Sequence, residues 1–96
     1  MLINYLNALV LTRNGGFNPH TESRWERLAF KNGYGASVVC GPYTYGGSAG
    51  LLEVCVLRHS ENGTEPAYDT PIHGWDPLGY LTEEEVVATL DRIAAL

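Results

Sequence analysis

The stretch Leu51-Leu52-Glu53-Val54-Cys55-Val56-Leu57-Arg58 constrains this chain more than any other. It is apolar and rich in β-branched residues. Gly46-Gly47-Ser48-Ala49-Gly50 precedes it and Ser60-Glu61-Asn62-Gly63 follows it. A short apolar run bounded by turn signals is a buried strand. Leu52, Val54 and Val56 fall on one face. Leu51, Cys55 and Leu57 fall on the other, interrupted by Glu53. A strand apolar on both faces belongs in the middle of a sheet.

The chain has 96 residues, enough for one small domain with one core. It is 45% apolar and 18% charged, the balance of an ordinary globular protein. Eleven acids against six bases give a net charge of −5. That charge argues against a sequence-independent grip on nucleic acid, which needs a basic stripe. It suits a basic protein surface as partner. Residues 2–11 are apolar but lack the basic region and cleavage site of a signal peptide. They are also too short to span a bilayer. A cytoplasmic location is therefore expected, and two cysteines make no disulfide framework.

Residues 1–12 read as a helix with Leu2, Leu6, Leu9 and Val10 on one stripe and Ile3 beside it. Arg13-Asn14-Gly15-Gly16 reads as its end. Phe17-Asn18-Pro19 is turn-like. Residues 22–31 have two readings. Ser23-Arg24-Trp25-Glu26 suits a capping box opening a short helix. Alternatively residues 27–31 form a strand, and Asn32-Gly33 is a type I′ turn into the next one. The Asn-Gly signal favours the strand. Residues 34–41 hold a strand around Ser37-Val38-Val39-Cys40. A hairpin tip at residues 46–49 would set Cys40 opposite Cys55, as two small buried hydrophobes rather than a disulfide. Glu61-Asn62-Gly63-Thr64 is a second turn, and Ala67-Tyr68-Asp69-Thr70 an edge strand between Pro66 and Pro71. Residues 72–79 are an irregular connection. Thr82 caps the last helix, Glu85 completes the capping box, and Leu81 and Val86 form the staple. The expected fold is α+β: an N-terminal helix, a three-stranded antiparallel meander (four-stranded if residues 27–31 join it) and a C-terminal helix, in one domain over residues 1–96.

Four chemistries compete with plain structural roles for the polar and reactive residues. His20, His59 and His73, with Asp69, Asp76 and the cysteines, have no metal-ligand spacing, so no metal is expected. Ser48 in Gly-Gly-Ser-Ala-Gly lacks the strand-to-helix context of a nucleophile elbow. Cys40 and Cys55 sit in apolar strands, where a thiolate is disfavoured. The glycine-rich loop opens a strand and carries no base, unlike a phosphate cradle. No catalytic residue and no cofactor are therefore expected. Tyr43, Tyr45, Trp75 and Tyr80 lie in or beside loops, either as lids on the core or as interface anchors. In the second reading Glu53, Asp69, Asp76, Glu83 and Glu84 form an acidic rim around them.

Four stretches carry a resemblance: Asn32-Gly33-Tyr34-Gly35-Ala36-Ser37-Val38-Val39, residues 43–54, Tyr68-Asp69-Thr70-Pro71-Ile72 and residues 78–86. Over residues 32–96 the chain resembles a group of small uncharacterised proteins of tailed phages and prophages. The resemblance implies a phage accessory protein acting in the bacterial cytoplasm. It supplies no catalytic residues. Small acidic phage proteins include inhibitors of host defence, anti-CRISPR proteins among them. The leading expectation is a non-enzymatic protein that binds, and inhibits, a host protein such as a nucleic-acid-handling defence complex, without touching nucleic acid or membrane itself. The rivals are a phage structural or assembly protein that self-associates, and a small enzyme.

Overall fold

The computed structural model describes residues 2–96. The strands are β1 (Val10–Asn18), β2 (Ser23–Phe30), β3 (Tyr34–Cys40), β4 (Leu52–Ser60), β5 (Gly63–Pro66) and β6 (Leu78–Leu81), followed by the helix α1 (Glu83–Ala94). All six strands form one antiparallel sheet in the order β1-β2-β3-β4-β5, with β6 also on β4. β5 pairs with the last half of β4 and β6 with the first half. The two are halves of one interrupted strand, and residues 67–77 are an excursion between them. The side chain of His73 fills the gap. Its Nε2 accepts the Val56 amide at 2.9 Å, and Nδ1 lies 2.8 Å from the Gly74 carbonyl. The ring is thus the tautomer with its proton on Nδ1.

β4 is the central strand its sequence demands. Leu52, Val54 and Val56 are buried with Leu28, Phe30, Ala36 and Val38 on one face of the sheet. Val86, Leu90, Ile93 and Ala94 of α1 cover that face. Thr82 and Glu85 make both bonds of the capping box, at 3.2 and 3.0 Å. At the other end of α1, the Asn32 amide donates to the carbonyls of Ile93, Ala94 and Leu96. The β2–β3 turn therefore caps the helix that packs beneath it.

The N-terminal helix is not formed; Met1 lies outside the described residues. Residues 2–5 are neither helix nor strand, and burial alternates: Ile3 and Tyr5 are buried, Asn4 and Leu6 exposed. Asn7 explains why no helix starts. Its Oδ1 accepts the Leu9 amide and its carbonyl accepts that of Val10, so the side chain builds a turn that competes with helix. Arg13-Asn14-Gly15-Gly16 lies inside β1 instead of ending a helix. Among residues 22–31 the strand reading is the one formed, and Ser23 opens β2 rather than capping a helix. The turn at Asn32-Gly33 is present but not type I′. Gly33 alone takes positive φ there, at 85°, and the Asn32 carboxamide accepts the Tyr34 amide. Cys55 faces Ser37, not Cys40, and Cys40 lies on the opposite face. Residues 67–70 are irregular, because the second turn is tight and β5 ends by Pro66. The architecture is therefore a six-stranded sheet with one C-terminal helix, not a meander between two helices.

Candidate functional site

The register gathers several exposed side chains at one end of the sheet. β3 ends there, β4 begins there, and β6 runs back to it before α1 starts. The β3–β4 loop is rigid by its own bonds. Thr44 Oγ1 accepts the Gly41 amide and donates to the Gly41 carbonyl, both at 3.0 Å. A short 3-10 turn, Gly47–Ala49, then leads into β4. The Tyr45 amide donates to Glu53 at 3.0 Å, and the Tyr45 carbonyl accepts the Tyr80 amide at 3.0 Å. The loop is in this way tied to both β4 and β6.

β6 is bulged where it meets this loop. Leu52 faces Leu81 and Val54 faces Leu78, so Gly79 and Tyr80 oppose a single residue of β4. A Cβ on Gly79 would overlap that of Tyr45. Tyr80 takes φ 56°, the left-handed region, which a bulky residue rarely adopts. Its ring points out and is 66% exposed. Tyr43 is 82% and Tyr45 47% exposed. Glu83 and Glu84 follow directly in the first turn of α1, where their charge suits the helix dipole. Glu83 also accepts the Asn4 amide at 3.2 Å.

The remaining expected site residues lie on the excursion between β5 and β6. Trp75 is exposed and stacks on Tyr68 at 5.2 Å between ring centroids. Asp69 pairs with Arg58 at 2.7 Å, and this bond holds its carboxyl below the usual range. Asp76 is exposed beside Trp75. The expected set thus divides in two. Tyr43, Tyr45, Glu53, Tyr80, Glu83 and Glu84 share the sheet end; Asp69, Trp75 and Asp76 share the excursion. Glu53 and Asp69 already spend their carboxylates inside the fold, on Tyr45 and Arg58.

Among the described residues no three of His, Cys, Asp and Glu gather to hold a metal ion. Burial, and then Glu53, push the Cys55 thiol up, which keeps it a protonated, weak nucleophile near neutral pH. The features the sequence did not give are the Tyr80 bulge and the His73 plug. One signal for the first was present: a glycine inside Leu78-Gly79-Tyr80-Leu81 marks a bulge once that segment is read as a strand.

Among the described residues no helix is long and apolar enough to cross a membrane. Comparison with protein-family models, curated proteins and solved structures finds no match.

Proposed function

We propose that this chain is a small accessory protein that works by binding another protein through the sheet end carrying Tyr43, Tyr45 and Tyr80. The observation that supports this reading is the backbone of Tyr80. A non-glycine residue in the left-handed region costs about 1–3 kcal/mol, and such strain concentrates at functional sites. Here it holds an exposed ring beside two others. Aromatic side chains on a rigid support are the usual energetic centres of interfaces. Glu83 and Glu84 at the same end, and the net charge of −5, suit a basic partner surface. The likeness of residues 32–96 to phage proteins points the reading to a host protein in the bacterial cytoplasm. A nucleic-acid-handling defence complex, bound and inhibited as anti-CRISPR proteins do, fits the charge. Trp75, Tyr68 and Asp76 form a second patch available to the same partner. Cofactor, metal, nucleic acid and membrane have no part in this reading.

Affinity capture from phage-infected bacteria tests it. The wild-type chain should retain a basic host protein that Tyr43→Ala and Tyr45→Ala release, while all three chains melt alike. Equal retention by the variants would remove this end of the sheet as the binding surface. A structural or assembly role remains the second reading, and the free edge of β1 favours it.

A further inference from the structure

The face of the sheet turned away from α1 carries a pocket of its own. Trp25, Arg27, Ser37 and Val39 alternate along β2 and β3 with the core residues Leu28, Ala36 and Val38, so they lie on the side the helix does not cover. Arg27 faces Ser37 across the two strands, and Trp25 faces Val39. The β1–β2 turn completes the wall with Thr21 and Ser23. The space enclosed is about 520 Å³, a volume usual for small-molecule sites. Trp25 is half-buried and leans over β1 at Gly16, where a Cβ would lie 3.5 Å from the indole. Arg27 is exposed, and among the described residues no carboxylate pairs with it. The hydroxyls of Thr21 and Ser23 hold each other at 2.7 Å. Glu22 between them takes φ 54°, the left-handed region, though it is not glycine. Such backbone outliers cluster at ligand clamps and other functional sites.

We propose that this pocket binds a small anion carried on a flat aromatic ring, such as a nucleoside monophosphate or an aromatic carboxylate, with the ring on Trp25 and the anionic group on Arg27. An indole offers a broad face on which another ring stacks. A guanidinium offers a planar fork that matches carboxylate and phosphate oxygens. The two side chains are two residues apart on one strand face, about 7 Å, a step that a ring joined to its anion by a short spacer covers. The hydroxyls of Thr21, Ser23 and Ser37 add neutral donors around the anion. Charge selects the ligand further. The chain has eleven acids, yet none is among the described residues that line this pocket. Residues 1–40 hold four of the six bases and two of the acids, so the pocket sits in the positive part of a negative chain. A long nucleic-acid strand would also meet the nine acids of residues 41–96, whereas a single small anion does not. The site shares no residue with the aromatic end of the sheet, and the inference is independent of that end.

Titration calorimetry of the full chain tests it with four probes: adenosine 5′-monophosphate, indole-3-acetate, adenosine and inorganic phosphate. At least one of the two ring-bearing anions should bind, and more tightly than adenosine or phosphate alone. Which of the two binds decides whether the anion is a phosphate or a carboxylate. Arg27→Gln should weaken that binding by about tenfold or more, the loss expected when a charged hydrogen-bonding partner is removed. Trp25→Leu should weaken it as well. Arg24→Gln removes the same charge from the opposite face of β2 and should leave the affinity unchanged. Arg27 and Arg24 are exposed, so both variants should melt as the wild type does; the Arg27 result therefore stands even where Trp25→Leu fails to fold. Absence of binding by either ring-bearing anion overturns the proposal. So does phosphate that binds as tightly as the monophosphate, binding that survives Arg27→Gln, or an equal loss on Arg24→Gln, which would mark diffuse attraction to the positive part of the chain.

Discussion

Glu26 is 1% exposed, on the face of the sheet that packs the core. A carboxylate survives there only because its bonds are complete. One oxygen accepts the amides of Leu2 and Ile3, at 3.1 and 3.3 Å, and the other pairs with Arg13. Arg13 in turn donates to the carbonyls of Ile3 and Tyr5. The pair thus pins residues 2–5 against the sheet in place of a β ladder. Glu26→Ala should lower stability by about 3–5 kcal/mol, the usual cost of leaving one partner of a buried pair alone. Denaturant unfolding followed by tryptophan fluorescence measures it. A loss below about 1 kcal/mol would mean that the clamp is solvated. No local signal marks this role in the sequence. Ser23-Arg24-Trp25-Glu26 fits a capping box equally well, and the partner at Arg13 lies across a strand pairing that spacing alone does not reveal.

At the scale of elements, the segments readable in the sequence are those whose signals are local. β4 has its apolar run between turns, β3 follows Asn-Gly, and α1 carries its cap, capping box and staple within a few residues. The N-terminal segment reads as a helix because its leucines imitate a helical stripe. What fixes it is distant: Glu26, Arg13 and the helix at the other end of the chain. Tyr5 shows the last of these. Its ring packs edge-on against Phe30, and its hydroxyl donates to Asp91 of α1 at 2.8 Å. Burial first, and then Asp91, push the phenol up from 10.0 to about 12. A folded value above the unfolded one means that stability is intact below 10.0 and falls as the pH rises toward 12. Tyr5→Phe should therefore flatten that alkaline decline, at the cost of some stability at neutral pH. Unfolding at a series of alkaline pH values reads the difference. A decline of the same steepness in both chains would show that Tyr5 is not the linked group.

Across the whole molecule, the exposed tyrosines and Trp75 divide between the sheet end and the β5–β6 excursion, and Phe17 stands apart on β1. Sequence named most of these residues, because tyrosines and tryptophan beside loops stand out. It did not show which share a surface, since that depends on β6 folding back along β4. At the sheet end Tyr80 takes a left-handed backbone, φ 56°, with its ring exposed. Strain kept for binding and strain kept for packing have opposite signatures on removal. Tyr80→Gly removes the ring and relieves the left-handed backbone, a relief of about 1 kcal/mol or more. The most direct measurement pairs a thermal melt of this variant with capture of the partner held by the wild type. The account predicts a raised Tm together with lost capture. A lowered Tm, or capture undiminished, would contradict it.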